Sequence, residues 1–249
     1  MHDTLRDVRS IALPAPQAAV RPVDPRRHLA IPLALFALAL ALVSLFALDW
    51  RIARALYAWQ GYRWILKHAF VTETLLHRLG HDLSLAAWLG VLLAWLTALR
   101  RDALAGWRRP LGYLALSVLL STLLVAALKS GTGMDCPWDI DGLGGVRPYL
   151  GLFDPRPDHL PDAACFPAGH ASGGYAWMAL YFFFRMTRPL LRLYGLWVGA
   201  IAGALFGIAQ QLRGAHFLSH DLWTAMLCWV VAFALFGLFG AFARRSANA

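Results

Sequence analysis

Between His28 and Leu48 the chain runs almost without a polar side chain, from Ile31-Pro32-Leu33-Ala34-Leu35-Phe36 onward. Roughly 20 such residues are what a helix needs to cross a bilayer. The run is longer than a signal-peptide core and no small-residue cleavage site follows it, so it reads as a first membrane span. Five more stretches of this kind lie at about 83–99, 111–128, 171–184, 190–212 and 222–242. Hydrocarbon offers backbone amides no water, and a helix satisfies them within its own segment. The expectation is an all-α polytopic membrane protein, six transmembrane helices in one bundle. Residues 49–80 mix Trp50, Tyr57, Trp59, Tyr62 and Trp64 with Arg51, Arg54, Arg63 and Lys67, the composition of an interfacial helix lying among headgroups. The proline-rich, mixed-charge residues 1–28 read as a disordered cytoplasmic tail, 29–243 as the membrane domain and 244–249 as a second short tail.

With 59% hydrophobic and 15% charged residues, the chain lies outside the soluble profile. Its net charge of +9 does not argue for nucleic acid, because the basic residues stand at the ends of apolar runs and form no stripe. They report orientation instead. With the N-terminus inside, 14 of the 23 Lys and Arg fall in inner segments. Both termini are thus expected in the cytoplasm, and the 129–170 loop and residues 213–221 on the outer side. Gly195, Gly199, Gly203 and Gly207 repeat every four residues along the fifth span, a smooth ridge that lets another helix approach closely within the bundle.

Ionisable side chains beside a span are costly unless paired, wetted or used. Three outer-side segments carry them: Lys129-Ser130-Gly131-Thr132-Gly133-Met134-Asp135-Cys136-Pro137-Trp138, Phe166-Pro167-Ala168-Gly169-His170, and Arg213-Gly214-Ala215-His216-Phe217-Leu218-Ser219-His220-Asp221. Each adjoins a helix terminus. Together they resemble the type 2 phosphatidic acid phosphatase family, integral-membrane lipid phosphatases related to vanadium haloperoxidases, with motifs K-x6-R-P, P-S-G-H and S-R-x5-H-x3-D. Lys129 and Pro137 match the first motif, with Cys136 where arginine is expected. Pro167, Gly169 and His170 match the second, with Ala168 in place of serine. In the third, His216 matches the histidine, Arg213 stands three residues before it instead of six, and Asp221 stands five after it instead of four. His220 occupies the strict aspartate position.

The resemblance implies that His216 attacks phosphorus and forms a phosphohistidine, that His170 protonates the leaving oxygen, and that Asp221 orients His216. The chemistry agrees. A phosphoryl group needs positive charge on its oxygens, an in-line nucleophile and a proton for the departing alkoxide. Lys129 and Arg213 supply the charge, and the backbone from Ala168 to Gly169, opening the fourth helix, supplies free donors. Arg147 in the same loop is a candidate for the missing arginine. No metal or cofactor is expected. The partners expected are a lipid phosphate substrate and membrane lipids, with no nucleic acid.

The location expected is a bacterial inner membrane, with the active site facing the periplasm. An oxidising periplasm would let Cys136 and Cys165 pair, tying the first two segments together, while Cys228 reads as a small apolar residue in the sixth span. Rival readings stay open: zinc at His216, His220 and Asp221, metal at His77 and His81, a lipid-to-lipid phosphotransferase, or a non-catalytic lipid-phosphate binder or transporter.

Overall fold

The computed structural model describes residues 23–151 and 154–247, all helix and loop, with no strand among them. Eight α-helices follow one another: α1 Ile31–Leu45, α2 Leu48–Trp59, α3 Gly80–Arg100, α4 Arg108–Gly131, α5 Gly169–Tyr175, α6 Leu180–Thr187, α7 Arg192–Leu212 and α8 Leu218–Ala247. Five helical runs are long and apolar enough to cross a membrane: Arg26–Leu45, Phe70–Arg100, Asp102–Gly131, Pro189–Leu212 and Leu218–Gly240. The expected fourth span is a helical path in three pieces, α5, a 3-10 turn Ala176–Ala179 and α6. It lies at the centre of the bundle, against α4, α7 and α8.

The core follows from aromatic residues on those central elements. Phe182 is fully buried among Tyr113, Trp229 and Phe236, with ring centroids 5.0–6.5 Å away, and the Tyr113 hydroxyl donates to the Ala232 carbonyl at 3.0 Å. Outward, α1, α3 and α7 expose Leu35, Leu38, Leu83, Leu93, Trp197, Val198 and Ile201. Apolar side chains facing away from the core suit lipid and would be costly in water. This is the surface of a membrane protein.

The glycine ridge of α7 is spent inside the bundle. A Cβ at Gly199 would stand 2.1 Å from the Met178 backbone nitrogen, and one at Gly203 would meet the Tyr175 ring at 2.2 Å. Only glycine lets the backbones come this close. The contact presses α7 against the helical path that begins at Gly169, so the end of α7 and the start of α5 come to one place.

Segment boundaries differ from expectation in three places. Residues 1–22 of the expected tail lie outside the described residues, but a π-helical turn at Arg26–Ala30 already belongs to the bundle. Its His28 carbonyl accepts from Trp229 Nε1 at 2.7 Å, and its ring meets the Tyr181 hydroxyl at 2.9 Å. The interfacial stretch is not one helix. It divides into α2, a 3-10 turn Ile65–His68 and a π-helical turn Phe70–Leu79 that runs straight into α3. At the other end α8 continues to Ala247, through most of the expected second tail.

Candidate active site

The three polar segments meet at one end of the bundle, around a cavity of about 360 Å³ lined by Lys129, Gly169, His170, Arg213 and His216, with Cys165 and Trp138 beside them. Lys129 lies in the last turn of α4, and its stem runs along the start of α5. A Cβ at Gly169 would stand 3.3 Å from its Cδ and 3.5 Å from its Nζ, so glycine brings the ammonium against the first helical turn. Ala168 is the N-cap of that turn and is fully buried, with no side-chain cap. The first backbone N–H groups therefore keep the orphan character of a helix start. Arg213 caps the C-terminal end of α7. Its Nε donates to the Lys67 carbonyl at 2.9 Å, which sets the guanidinium against the cavity. Burial lowers its pKa from the ordinary arginine value.

Neither Lys129 nor Arg213 forms an ion pair among the described residues. Two partly buried cations on one cavity without a carboxylate make an anion site, because desolvated charge of one sign is relieved by a ligand of the other.

His216 is 5% exposed. Its Nδ1 lies 2.7 Å from the Cys165 carbonyl oxygen. A carbonyl only accepts, so Nδ1 carries the proton and Nε2 keeps its lone pair. Burial, with His220 and Lys129 adding to it, holds the His216 pKa well below the ordinary histidine value. The ring is thus a neutral imidazole with a fixed tautomer, the form a nucleophile needs.

The carbonyl that orients His216 is itself anchored. Cys165 is joined to Cys136 by a disulfide, with Cα atoms 5.2 Å apart. The Cys165 amide also donates to the Met134 carbonyl at 3.0 Å. Thr132 Oγ1 donates to the Phe166 carbonyl at 2.5 Å. Three ties thus hold the 165–170 turn to the segment that follows Lys129.

Asp221 is not placed beside His216, which corrects the orienting role expected for it. Its Oδ2 accepts from Gln211 Nε2 at 2.5 Å, and its carboxylate fills the space left by Gly207, where a Cβ would meet it at 2.6 Å. His220 takes the place instead, its Nδ1 3.5 Å from Nδ1 of His216 and its ring edge-on to Phe166. The reason is helical phase. α8 starts at Leu218, so His220 stands in its first turn, on the side of His216, while Asp221 is rotated about 100° onward, to Gln211 of α7. With Asp221 turned to α7, no group of three His, Cys, Asp or Glu converges as a metal site among the described residues.

Arg147 is likewise withdrawn from the site. Asp135 takes both it and Arg156, the latter at 2.8 Å. Burial alone would raise the Asp135 pKa, but the two guanidiniums outweigh it and the carboxylate ionises below its ordinary range. Among the described residues, Arg213 is the arginine that lines the cavity.

Two neighbours of the cavity, Leu76 and Lys67, were illegible in sequence because they come from the stretch read as interfacial, and His81 follows directly after it. Leu76 offers its carbonyl to His170 Nε2 at 2.9 Å, His81 lines the cavity, and the Lys67 ammonium lies 3.9 Å from the centroid of the Trp138 ring. The one available signal was Trp138 itself, directly after the first motif's proline.

A model of the PAP2 superfamily matches residues 110–244. No curated protein and no solved structure matches the chain. The matched range takes in Lys129, the Gly169 turn, Arg213 and His216, the residues that share the cavity, and covers more than half of the 249 residues. The chain belongs to the PAP2 superfamily, whose members are phosphatases acting on phosphate esters.

Proposed function

We propose that this protein hydrolyses a lipid phosphate or diphosphate at the outer, periplasmic face of a bacterial inner membrane, through a phosphohistidine and without a metal. The observation that carries the reading is the pairing of two cations lacking carboxylate partners with a neutral, tautomer-fixed His216 on one cavity. The lipid surface around the bundle supports a lipid substrate, since the cavity sits at the end of apolar helices.

In the proposed sequence, His216 Nε2 forms a bond to phosphorus as the bond to the leaving oxygen breaks. Lys129 and Arg213 neutralise the phosphoryl oxygens, Arg213 through a bidentate fork. His170, which enters the cycle as the imidazolium with its Nε2–H on the Leu76 carbonyl, gives its Nδ1 proton to the departing alkoxide or phosphate. Water then attacks the phosphohistidine, His170 takes back a proton, and inorganic phosphate leaves. The Cys165 carbonyl holds the cation that forms on His216, the part an acid would take elsewhere.

The test is phosphate release by purified protein from phosphatidate and from an isoprenyl diphosphate in mixed micelles, with excess chelator present. Release under chelator is the expected result. Inertness toward every such lipid, with inorganic phosphate still bound, would leave a binder or transporter.

A pH profile gives a second check. Because burial depresses the His216 pKa, the ring stays neutral as the pH falls through the ordinary histidine range, near about 6.5. The acid limb of kcat/KM is expected below that range. Stability has the matching sign: the unfolded chain binds the proton first, so this contribution is present above about pH 6.5 and is lost as the pH falls toward the folded-state pKa. An acid limb assigned to His216 at or above pH 6.5 would contradict the buried neutral ring.

A further inference from the structure

A second and larger cavity, about 690 Å³, is lined by Phe166, whose ring packs on His220. Its walls come from the end of α1, the start of α2, the outer loop and the start of α8. Leu40 and Val43 line its α1 side, with Trp50, Tyr149, Phe166 and Trp223 as aromatic walls and Asp49 as its acid. The proposed phosphatase chemistry uses none of the last five side chains except Phe166, which only backs His220.

The rings are set at steep angles to one another. Trp50 and Tyr149 meet edge to face at 71°, with centroids 6.2 Å apart, and Phe166 and Trp223 meet at 79° and 6.1 Å. Further edge contacts, Tyr149 with Phe217 and Trp223 with Phe36, hold these rings in place as a largely aromatic lining. Aromatic faces attract organic cations, and a box of them is the usual recognition device for substituted ammonium.

Asp49 completes the charge argument. Its Oδ1 accepts the Ser219 amide at 2.9 Å, so it caps α8 from a different helix. No Lys, Arg or His forms an ion pair with it among the described residues. Burial raises its pKa, with the contacts from Ser219 and Leu218 opposing, as expected of a carboxylate short of a counter-ion. In a chain of net charge +9, a half-buried acid without a cation, among aromatic rings, is complementary to a positive ligand.

The occupant follows from the two ends of the cavity. Leu40, Val43 and Trp223 belong to helices long and apolar enough to cross the membrane, while Asp49 and Tyr149 stand at the loop end. An amphiphile fits such a lining, with chain along α1 and head toward Asp49. We propose that this cavity binds a lipid whose headgroup carries an ammonium ion, with the cation among Trp50, Tyr149 and Trp223 and against the Asp49 carboxylate. The site is separate from the phosphate cavity and does not depend on hydrolysis there.

The experiment is native mass spectrometry of the full chain with an equimolar mixture of phosphatidylcholine and phosphatidylglycerol of the same acyl chains. Asn caps a helix as well as Asp does, so Asp49→Asn removes the charge and keeps the α8 cap. The retained choline-to-glycerol lipid ratio is expected to fall about fivefold in Asp49→Asn, within the range of one cation contact to an aromatic and charged wall. Trp223→Leu, which leaves the acid and removes one wall, is expected to lower the ratio in the same direction and decides the matter if Asp49→Asn does not fold. A ratio within twofold of wild type in a folded variant of either kind overturns the proposal. Loss of phosphatase activity in wild type would leave this result untouched, so the two readings fail separately.

Discussion

His216→Ala is expected to reduce phosphate release by at least about 10⁴-fold, the scale on which removal of a covalent nucleophile acts. The His216 ring stands on the cavity with its tautomer fixed and a lone pair open. Its Nδ1 is taken by the Cys165 carbonyl at 2.7 Å, which leaves Nε2 directed away from that bond. The fold is expected to survive, since the change removes one buried hydrogen bond of about 1 kcal/mol.

Asp221→Asn separates this reading from the one the motif suggests. Were Asp221 the orienting acid, its amide would cost about 10⁴-fold, as in a serine protease triad. With Asp221 bonded to Gln211 instead, kcat is expected to stay within about tenfold of wild type. Kinetics of the two variants in the same micelles, with circular dichroism to verify folding, check both. A crippled Asp221→Asn with an intact helical spectrum would restore the acid to the mechanism.

The second large effect concerns the disulfide. Replacing Cys136 and Cys165 together by serine is expected to lower stability by about 3 kcal/mol, the usual scale for a loop of this size, the two residues being 29 apart in sequence. The activity loss should exceed what partial unfolding explains. Cys165 presents the carbonyl that orients His216, and the bond to Cys136 anchors that carbonyl to the segment following Lys129. Reduction of the wild-type protein should act in the same direction. Thermal unfolding and kcat, measured with and without reductant, provide the check. A double variant with unchanged kcat at a temperature where it is fully folded would show that the Met134 and Thr132 hydrogen bonds hold the turn alone.

Much of the molecule was legible because its determinants are local. Apolar runs of bilayer length force helices wherever they occur, and the α7 glycines announce a close helix contact by spacing alone. The broken path from Gly169 to Thr187 was harder. Its composition reads as one span, but packing against α4, α7 and α8 decides its course. The stretch 49–80 defeated a reading by composition. Trp and Arg at high density describe headgroup helices and cavity walls equally well, and only the fold shows Lys67 and Leu76 giving carbonyls to Arg213 and His170.

From the sequence by itself came an all-helical membrane chain, the three segments that share a site, and His216, His170, Lys129 and Arg213 as members of it. Those follow from residue type and from distance along the chain. Which residue stands beside His216, what holds its Nδ1, and where Arg147 spends its charge were decided by tertiary structure alone. Such choices depend on helical phase and on backbone carbonyls. A shift of one residue turns a side chain by about 100°, and every residue carries the same carbonyl, so neither leaves a mark on the sequence.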